Sequence, residues 1–530
     1  MYNQESKIKC RELLIRDAVE SLTKERQSSY VIGKNNLNDI LSHFKGLYCQ
    51  FIEKHEPSII KEFERHFKIT KNEWDIHLEN YSHNKKASAL KVLYLSGPEP
   101  KNDIEEFLKH GVLISNIWAI ESDKNTYETA LQNLIDTGYH IKLHKGTLKD
   151  FFEQTNHEFD IIYFDACSPI VSPKQNPVDT LKEIFLRKRL TPLSALITNF
   201  AEPKENYNWG DILAPWFATR HENEMPKIDY ECKLEYDEKS LYLSDYSKYI
   251  ERHKNDYYDN FIVHFISTLA SEIIPLFQVV SIPSVQNKYF MEYENLNKLF
   301  IEIKNNKESE DNWESFFNTV SHFKLAIQAY PLLNWVRLSK EILDENHSLI
   351  RFINNKNNKT SLELSMYIGT LIKSYEESRS GFNTYTDKVC SPLLKQIITE
   401  LDYFDRTIRL TCDTPMKNLI IEFLFGIYGF PYIANTNKVQ SYKYIAKETW
   451  MYSNVFIFDQ CRCLYDFVPS IEVFSDFFKS IPNQMIIRSG IDCINRNHNR
   501  LNSNIFEYGL IEGIDRKFGW FDLKKRKKIN

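Results

Sequence analysis

The chain has 530 residues, a formal net charge of −5, and 42% hydrophobic against 26% charged residues, enough for two or three domains with sizeable cores. An isoelectric point near 6.3 excludes a global basic field of the kind that announces a nucleic-acid partner, and nine cysteines are too sparse for a disulfide scaffold. No run approaches the roughly 18 apolar residues of a membrane span, and Met1 to Lys7 carries no signal-peptide pattern, so the expectation is a cytoplasmic protein with no membrane partner.

Residues 1–85 read as a helical N-terminal region. Ile8, Leu13, Leu14, Ile15, Ala18, Val19 and Leu22 make one apolar stripe, and Leu37, Ile40, Leu41, Phe44, Leu47, Tyr48 and Phe51 a second, with charged faces beside them. From Ala89 to Asn199 the pattern alternates. Short apolar runs at Ala89–Leu95, Ile117–Ile120, Ile141–His144, Phe159–Phe164 and Ala195–Asn199 are strands, and helical periods fill the gaps between several of them. Strands separated by helices pair in parallel through right-handed crossovers, which predicts a Rossmann-like, doubly wound α/β sheet. Acids and turns collect at the carboxyl ends of these strands, where such sheets bind ligands.

The predicted Rossmann-like domain spans residues 86–305, with Phe277–Val280 and Lys288–Met291 as its later strands. The polar stretch Asn305–Asn312 marks a boundary, and residues 306–530 form a mainly helical, α+β C-terminal domain. Within it, Val455–Phe458 and Gln484–Ile487 read as strands, and Lys524–Lys528 as a short basic tail.

The order of features in Ala89–Asn199 resembles the class I S-adenosylmethionine (SAM) dependent methyltransferases, over about a quarter of the chain. The resemblance implies SAM as cofactor. It places the methionine part at Ser96 and Gly97, the ribose hydroxyls at Glu121, the adenine at Gly146 and Thr147, and the methyl group and substrate at Asp165. A carboxylate at a strand's carboxyl end can accept two hydrogen bonds from a cis-diol, so Glu121 fits its role physically. The first loop, Ser96-Gly97-Pro98-Glu99-Pro100, departs from the family's glycine-rich pattern. Its two prolines lack N–H donors, which disfavours a pyrophosphate cradle and hence a dinucleotide.

Asp165-Ala-Cys-Ser-Pro169 carries the acid of amino-methylating DNA and RNA enzymes without their proline pair and aromatic residue. It also resembles the Asp-Ala-Pro-Cys loop of RNA cytosine-C5 methyltransferases, but lacks the proline, and Cys167 is read as an inert small residue. Asp165 is the candidate catalytic residue, as proton acceptor or as the group that aligns a nucleophile.

No metal site is expected: Cys461, Cys463, Cys493 and His498 lack zinc-type pairing, and His140 and His144 fall in a turn and strand. Asp459–Arg462 with Tyr465 and Asp466 are candidates for a second polar pocket. Tyr428, Phe430, Tyr432, Tyr442, Tyr444, Trp450 and Tyr452, interleaved with Lys438, Lys443 and Lys447, read either as a stacking surface for RNA or DNA or as a folded core with lysines outside. Two functions follow. One is a methyltransferase acting on nucleic acid held through the C-terminal domain. The other is a degenerate methyltransferase-like fold that senses a ligand or scaffolds partner proteins, a setting that suits bacterial anti-phage defence.

Overall fold

Alternation along each strand decides which side chains share a face of the sheet. The computed structural model describes residues 5–203, 207–219, 243–292, 294–296, 298, 301, 331–357, 360–373, 389–404, 416–468, 470–497 and 526–529. The N-terminal helices are α1 (Glu5–Leu22), α2 (Lys34–His55) and α3 (Ile60–Tyr81). The alternating unit follows as β1 (Val92–Leu95), α4 (Lys101–Lys109), β2 (Ile117–Glu121), α5 (Lys124–Thr137), β3 (Lys142–Lys145), α6 (Leu148–Gln154), β4 (Phe159–Asp165), α7 (Pro177–Leu186) and β5 (Leu190–Ala201). All five strands pair in parallel.

Two later strands, β6 (Gln440–Ala446) and β7 (Thr449–Asp459), complete the same sheet. Strand β7 runs antiparallel between β5 and β6, and a C-terminal strand β8 (Lys527–Ile529) pairs in parallel with β6, giving the order β8-β6-β7-β5-β4-β1-β2-β3. The expected division at residues 305/306 therefore does not divide the sheet, because β6 to β8 come from beyond it. The polar stretch Asn305–Asn312 itself lies outside the described residues.

One face of the sheet carries Val92, Tyr94, Ile117, Ala119, Ile161, Tyr163, Ala195, Ile197, Tyr442 and Tyr444, packed against Cys10, Leu14, Ile15, Ala18 and Leu22 of α1 and Ile104 and Phe107 of α4. The other carries Leu93, Trp118, Ile162, Phe164, Leu196, Phe200, Phe456 and Phe458, beneath α6, α7 and the later helices. Those include α8 (Trp209–Ala218), α9 (Lys254–Thr268), α10 (Ile274–Ser281), α11 (Met416–Gly429) and α12 (Ile481–Asn497).

Three short apolar runs were misleading as strands. Phe277–Val280 lies in α10, Lys288 and Tyr289 end the helix Pro283–Tyr289, and Gln484–Ile487 lies in α12. A four-residue apolar run fits a buried helix as well as a strand, and packing decides. Lys254–Ser281 also corrects the expectation about membrane spans: this 28-residue helix is long and apolar enough to cross a bilayer, and 94% of its most apolar window is buried as a core helix.

The aromatic–lysine stretch divides between core and surface: Tyr428, Phe430 and Trp450 are half-buried. Tyr432, Tyr442, Tyr444 and Tyr452 are buried, so they present no stacking surface. The basic tail is not a free tail in its described part. The Arg526 guanidinium is buried, donating to the carbonyls of Tyr442 and Ser453 at 3.1 and 2.8 Å and to Asn454 Oδ1 at 3.0 Å, and pairing with Asp259.

The candidate second pocket at Asp459 is a buried latch. Its carboxylate accepts from the amides of Val31 at 2.9 Å and Cys461 at 2.8 Å. His498 lies outside the described residues, and Cys461, Cys463 and Cys493 are buried. Burial pushes the Asp459 carboxyl up to about 6, against those two amides. The folded state thus holds this proton more tightly than the unfolded chain does. The resulting stability is complete below the unfolded value of 3.8 and is lost as pH rises through about 6. Denaturant unfolding of wild type and Asp459→Asn should show wild type gaining on the variant by about 2–3 kcal/mol as pH falls from about 7 to 4. A difference that does not change with pH would contradict the assignment.

Candidate functional site

The strand order reverses between β1 and β4, and in such sheets ligands bind in the crevice outside the carboxyl ends of the strands at that point. Ser96 follows β1 and is buried. Its amide donates to Ile120 O at 2.8 Å and its hydroxyl to Gly97 O at 3.0 Å. A Cβ added at Gly97 would meet nothing within 4 Å, so the loop borders open space. Asn133 Nδ2 holds the loop from α5 by donating to Pro98 O at 2.6 Å.

Glu121 ends β2 half-buried, with Oε1 accepting from the Asp123 amide at 2.8 Å. Burial raises its carboxyl pKa, against the pull of the Asp123 and Ser122 amides. Gly146 closes the loop after β3 by donating its amide to Glu121 O at 3.0 Å. Its φ of +149° favours glycine, and a Cβ there would come within 3.0 Å of His144 Nε2. Thr147 caps α6 in a reciprocal box with Asp150, so its hydroxyl is committed to the helix start. Ser96, Gly97, Glu121 and Gly146 thus line neighbouring loops of one sheet edge, while Thr147 serves its own helix.

Asp165 ends β4 with the same parity as Ile161 and Tyr163, which turns it toward the α1 face. Its Oδ1 accepts from Asn199 Nδ2 at 2.8 Å and from Cys167 Sγ at 2.9 Å, and its Oδ2 lies 3.6 Å from Lys7 Nζ. Asn199, opposite Asp165 on β5, is buried and fully used: Nδ2 also donates to the Tyr444 hydroxyl at 3.0 Å, and Oδ1 accepts from Ser453 at 2.7 Å.

Cys167 adopts a left-handed φ of +51°. Desolvation first, and the Asp165 carboxylate second, raise its thiol pKa, which disfavours the thiolate. One turn beyond Lys7, Arg11 pairs with Asp103 of α4 at 2.8 Å. Burial raises the Asp103 carboxyl pKa, Arg11 opposes this, and Asp165 adds to it.

Lys7, Arg11, Asp103, Asn199 and Tyr444 were not legible as site residues. Asn199 had a signal, since it ends the fifth predicted strand beside Asp165. Lys7 and Arg11 had only their four-residue spacing on a helix whose docking face the sequence leaves open.

No family model matches the sequence, and a search of curated proteins finds no match. Among solved structures, a SAM-dependent methyltransferase from Clostridium acetobutylicum is 16% identical over 32% of this chain and 61% of its own, with a TM-score of 0.18. The plantazolicin methyltransferase BamL, in complex with a triazolic desmethylPZN analog and SAH, is 12% identical over 56% of this chain and 91% of its own, with a TM-score of 0.19. PKMT2 from Rickettsia typhi, in complex with AdoHcy, is 14% identical over 44% and 48%, with a TM-score of 0.20. This chain spans about three fifths of the length of the first of these and half of the third.

These overlaps are too low to carry an argument, and the fold rests on the strand order. The molecule has a Rossmann-like α/β fold, with five parallel strands in the order β3-β2-β1-β4-β5 extended by antiparallel β7 and then β6.

Proposed function

We propose that the chain is a SAM-dependent methyltransferase, with its cofactor lying from Gly97 to Glu121 and its reacting end at Asp165. The observation that carries this reading is the convergence, at one topological switch point, of two carboxylates each held by one oxygen: Glu121 by the Asp123 amide and Asp165 by Asn199.

The residues present fit the cofactor. Open space borders Gly97, Glu121 keeps a second oxygen for a diol, and His144 Nε2 beside Gly146 is a buried nitrogen with no partner among the described residues. Bound SAM supplies an activated methyl group. The chain's own residues orient it and take up the nucleophile's proton at Asp165.

The acceptor this geometry favours is an amine, whose proton Asp165 Oδ2 can receive. For a nucleic-acid substrate, the remaining support is the sheet edge, where Lys443 and Lys528 lie 5.5 and 5.9 Å from the Trp450 ring. Binding of RNA or DNA there should weaken steeply with salt.

Titration calorimetry with S-adenosylhomocysteine tests the cofactor assignment. Wild type should bind, and Glu121→Ala should lose about 1.5–3 kcal/mol, the worth of hydrogen bonds to a charged acceptor. No heat with wild type would favour the second reading, a non-catalytic scaffold. That reading is supported by the missing donors at Pro98 and Pro100.

A further inference from the structure

We propose that Lys7 is a methyl acceptor of this chain's own site, so that the protein methylates itself at its N-terminal helix. The proposal rests on the methyltransferase reading above and names a substrate for the same crevice. Helix α1 is fixed on the sheet by buried Cys10, Leu14, Ile15 and Ala18, which sets Lys7 one turn before them at the carboxyl ends of the strands. Arg11, its neighbour on that helix, is taken by Asp103. Asp165 Oδ1 is committed to Asn199 and Cys167, so Oδ2 is the oxygen that faces the crevice, and what stands before it at 3.6 Å is a primary amine. That separation is an ion-pair distance, longer than an ammonium–carboxylate hydrogen bond, and the Lys7 side chain keeps 36% of its surface exposed. A buried structural ion pair would be shorter and drier.

Charge explains why such an amine stays unreactive until cofactor arrives. Beside Asp165 the Lys7 amine is held protonated, its pKa raised chiefly by that carboxylate. A sulfonium brought into the crevice adds a like charge, which disfavours the ammonium, and Asp165 Oδ2, 3.6 Å away, is the acceptor placed to receive its proton as Nζ attacks. The freed Nζ lone pair then forms the N–C bond to the methyl carbon as the C–S bond breaks. The bonding pair stays on sulfur, S-adenosylhomocysteine leaves, and Asp165 passes the proton to water.

The test uses the full chain, purified and incubated with SAM, then mapped by peptide mass spectrometry. The peptide holding Lys7 should gain the mass of one or more methyl groups. The gain should be lost in Lys7→Arg and slowed at least about a hundredfold in Asp165→Asn. Calorimetry with S-adenosylhomocysteine on Lys7→Ala gives a readout independent of turnover, and affinity should stay within about threefold of wild type, since an acceptor is not a cofactor ligand. Three results overturn the proposal while leaving the methyltransferase reading intact. Wild type binds S-adenosylhomocysteine yet Lys7 stays unmodified; methyl groups appear only on other residues; or Lys7→Ala tightens binding about tenfold or more, which makes Lys7 a latch that shuts the site. Absence of any binding to wild type overturns both.

Discussion

Asp165→Asn should lower methyl transfer by about 10²–10⁴-fold and leave S-adenosylhomocysteine affinity within about threefold of wild type. The substitution is nearly isosteric. Its carbonyl oxygen can still accept from Asn199 Nδ2, so the loop from Asp165 to Ser168, which Ala166 N and Ser168 O tie to β5, keeps its place. What disappears is the oxygen that faces Lys7 and can hold a proton. The effect therefore falls on turnover and not on binding, and single-turnover rates beside calorimetry separate the two. Equal losses in both would mean that Asp165 binds cofactor and takes no part in proton transfer.

Arg526→Met should release the C-terminal strand. The side chain fills one hub: two carbonyls from β6 and β7, the Asn454 amide oxygen, the Asp259 carboxylate, and the Tyr452 ring 5.1 Å from the guanidinium carbon. Removing the buried guanidinium leaves the partly exposed Asp259 carboxylate to water but strands the buried acceptors around it, at about 1–3 kcal/mol for each left unpaired. Strand β8 has only three residues paired with β6, too few to absorb such a loss. In hydrogen exchange, the amides of Lys527, Lys528 and Ile529 should lose protection in the variant and the melting temperature should fall. Retained protection would mean that the strand is held by its backbone ladder alone.

These two sites divide differently between sequence and structure. Asp165 was legible because its strand is the most apolar of the unit and ends abruptly at a polar turn, and parity with Ile161 and Tyr163 then fixes its face. Glu121 was legible for the same reason. Arg526 was read as part of a short basic tail, since nothing local in Lys524–Lys528 signals burial. Its role comes from strands far away in the chain, and long-range pairing leaves no local pattern. The same holds for β6 and β7: Tyr442, Lys443 and Tyr444 alternate as a strand with one buried face does, but alternation alone does not say which sheet they join. Lys7 and Arg11 reach the crevice only because the apolar stripe of α1 docks on the α4 side of the sheet. The stripe was visible, and the surface it would meet was not.

The central claim is that the crevice between β1 and β4 holds SAM. Hydrogen–deuterium exchange of the full chain, with and without saturating S-adenosylhomocysteine, tests it most directly. Protection should rise in the loops after β1 (Ser96 and Gly97), β2 (Glu121 to Asp123) and β3 (Gly146), and in Asp165 to Ser168 after β4. It should not change along β8. Protection that leaves these loops untouched, or no ligand-dependent change anywhere in the chain, would contradict the account.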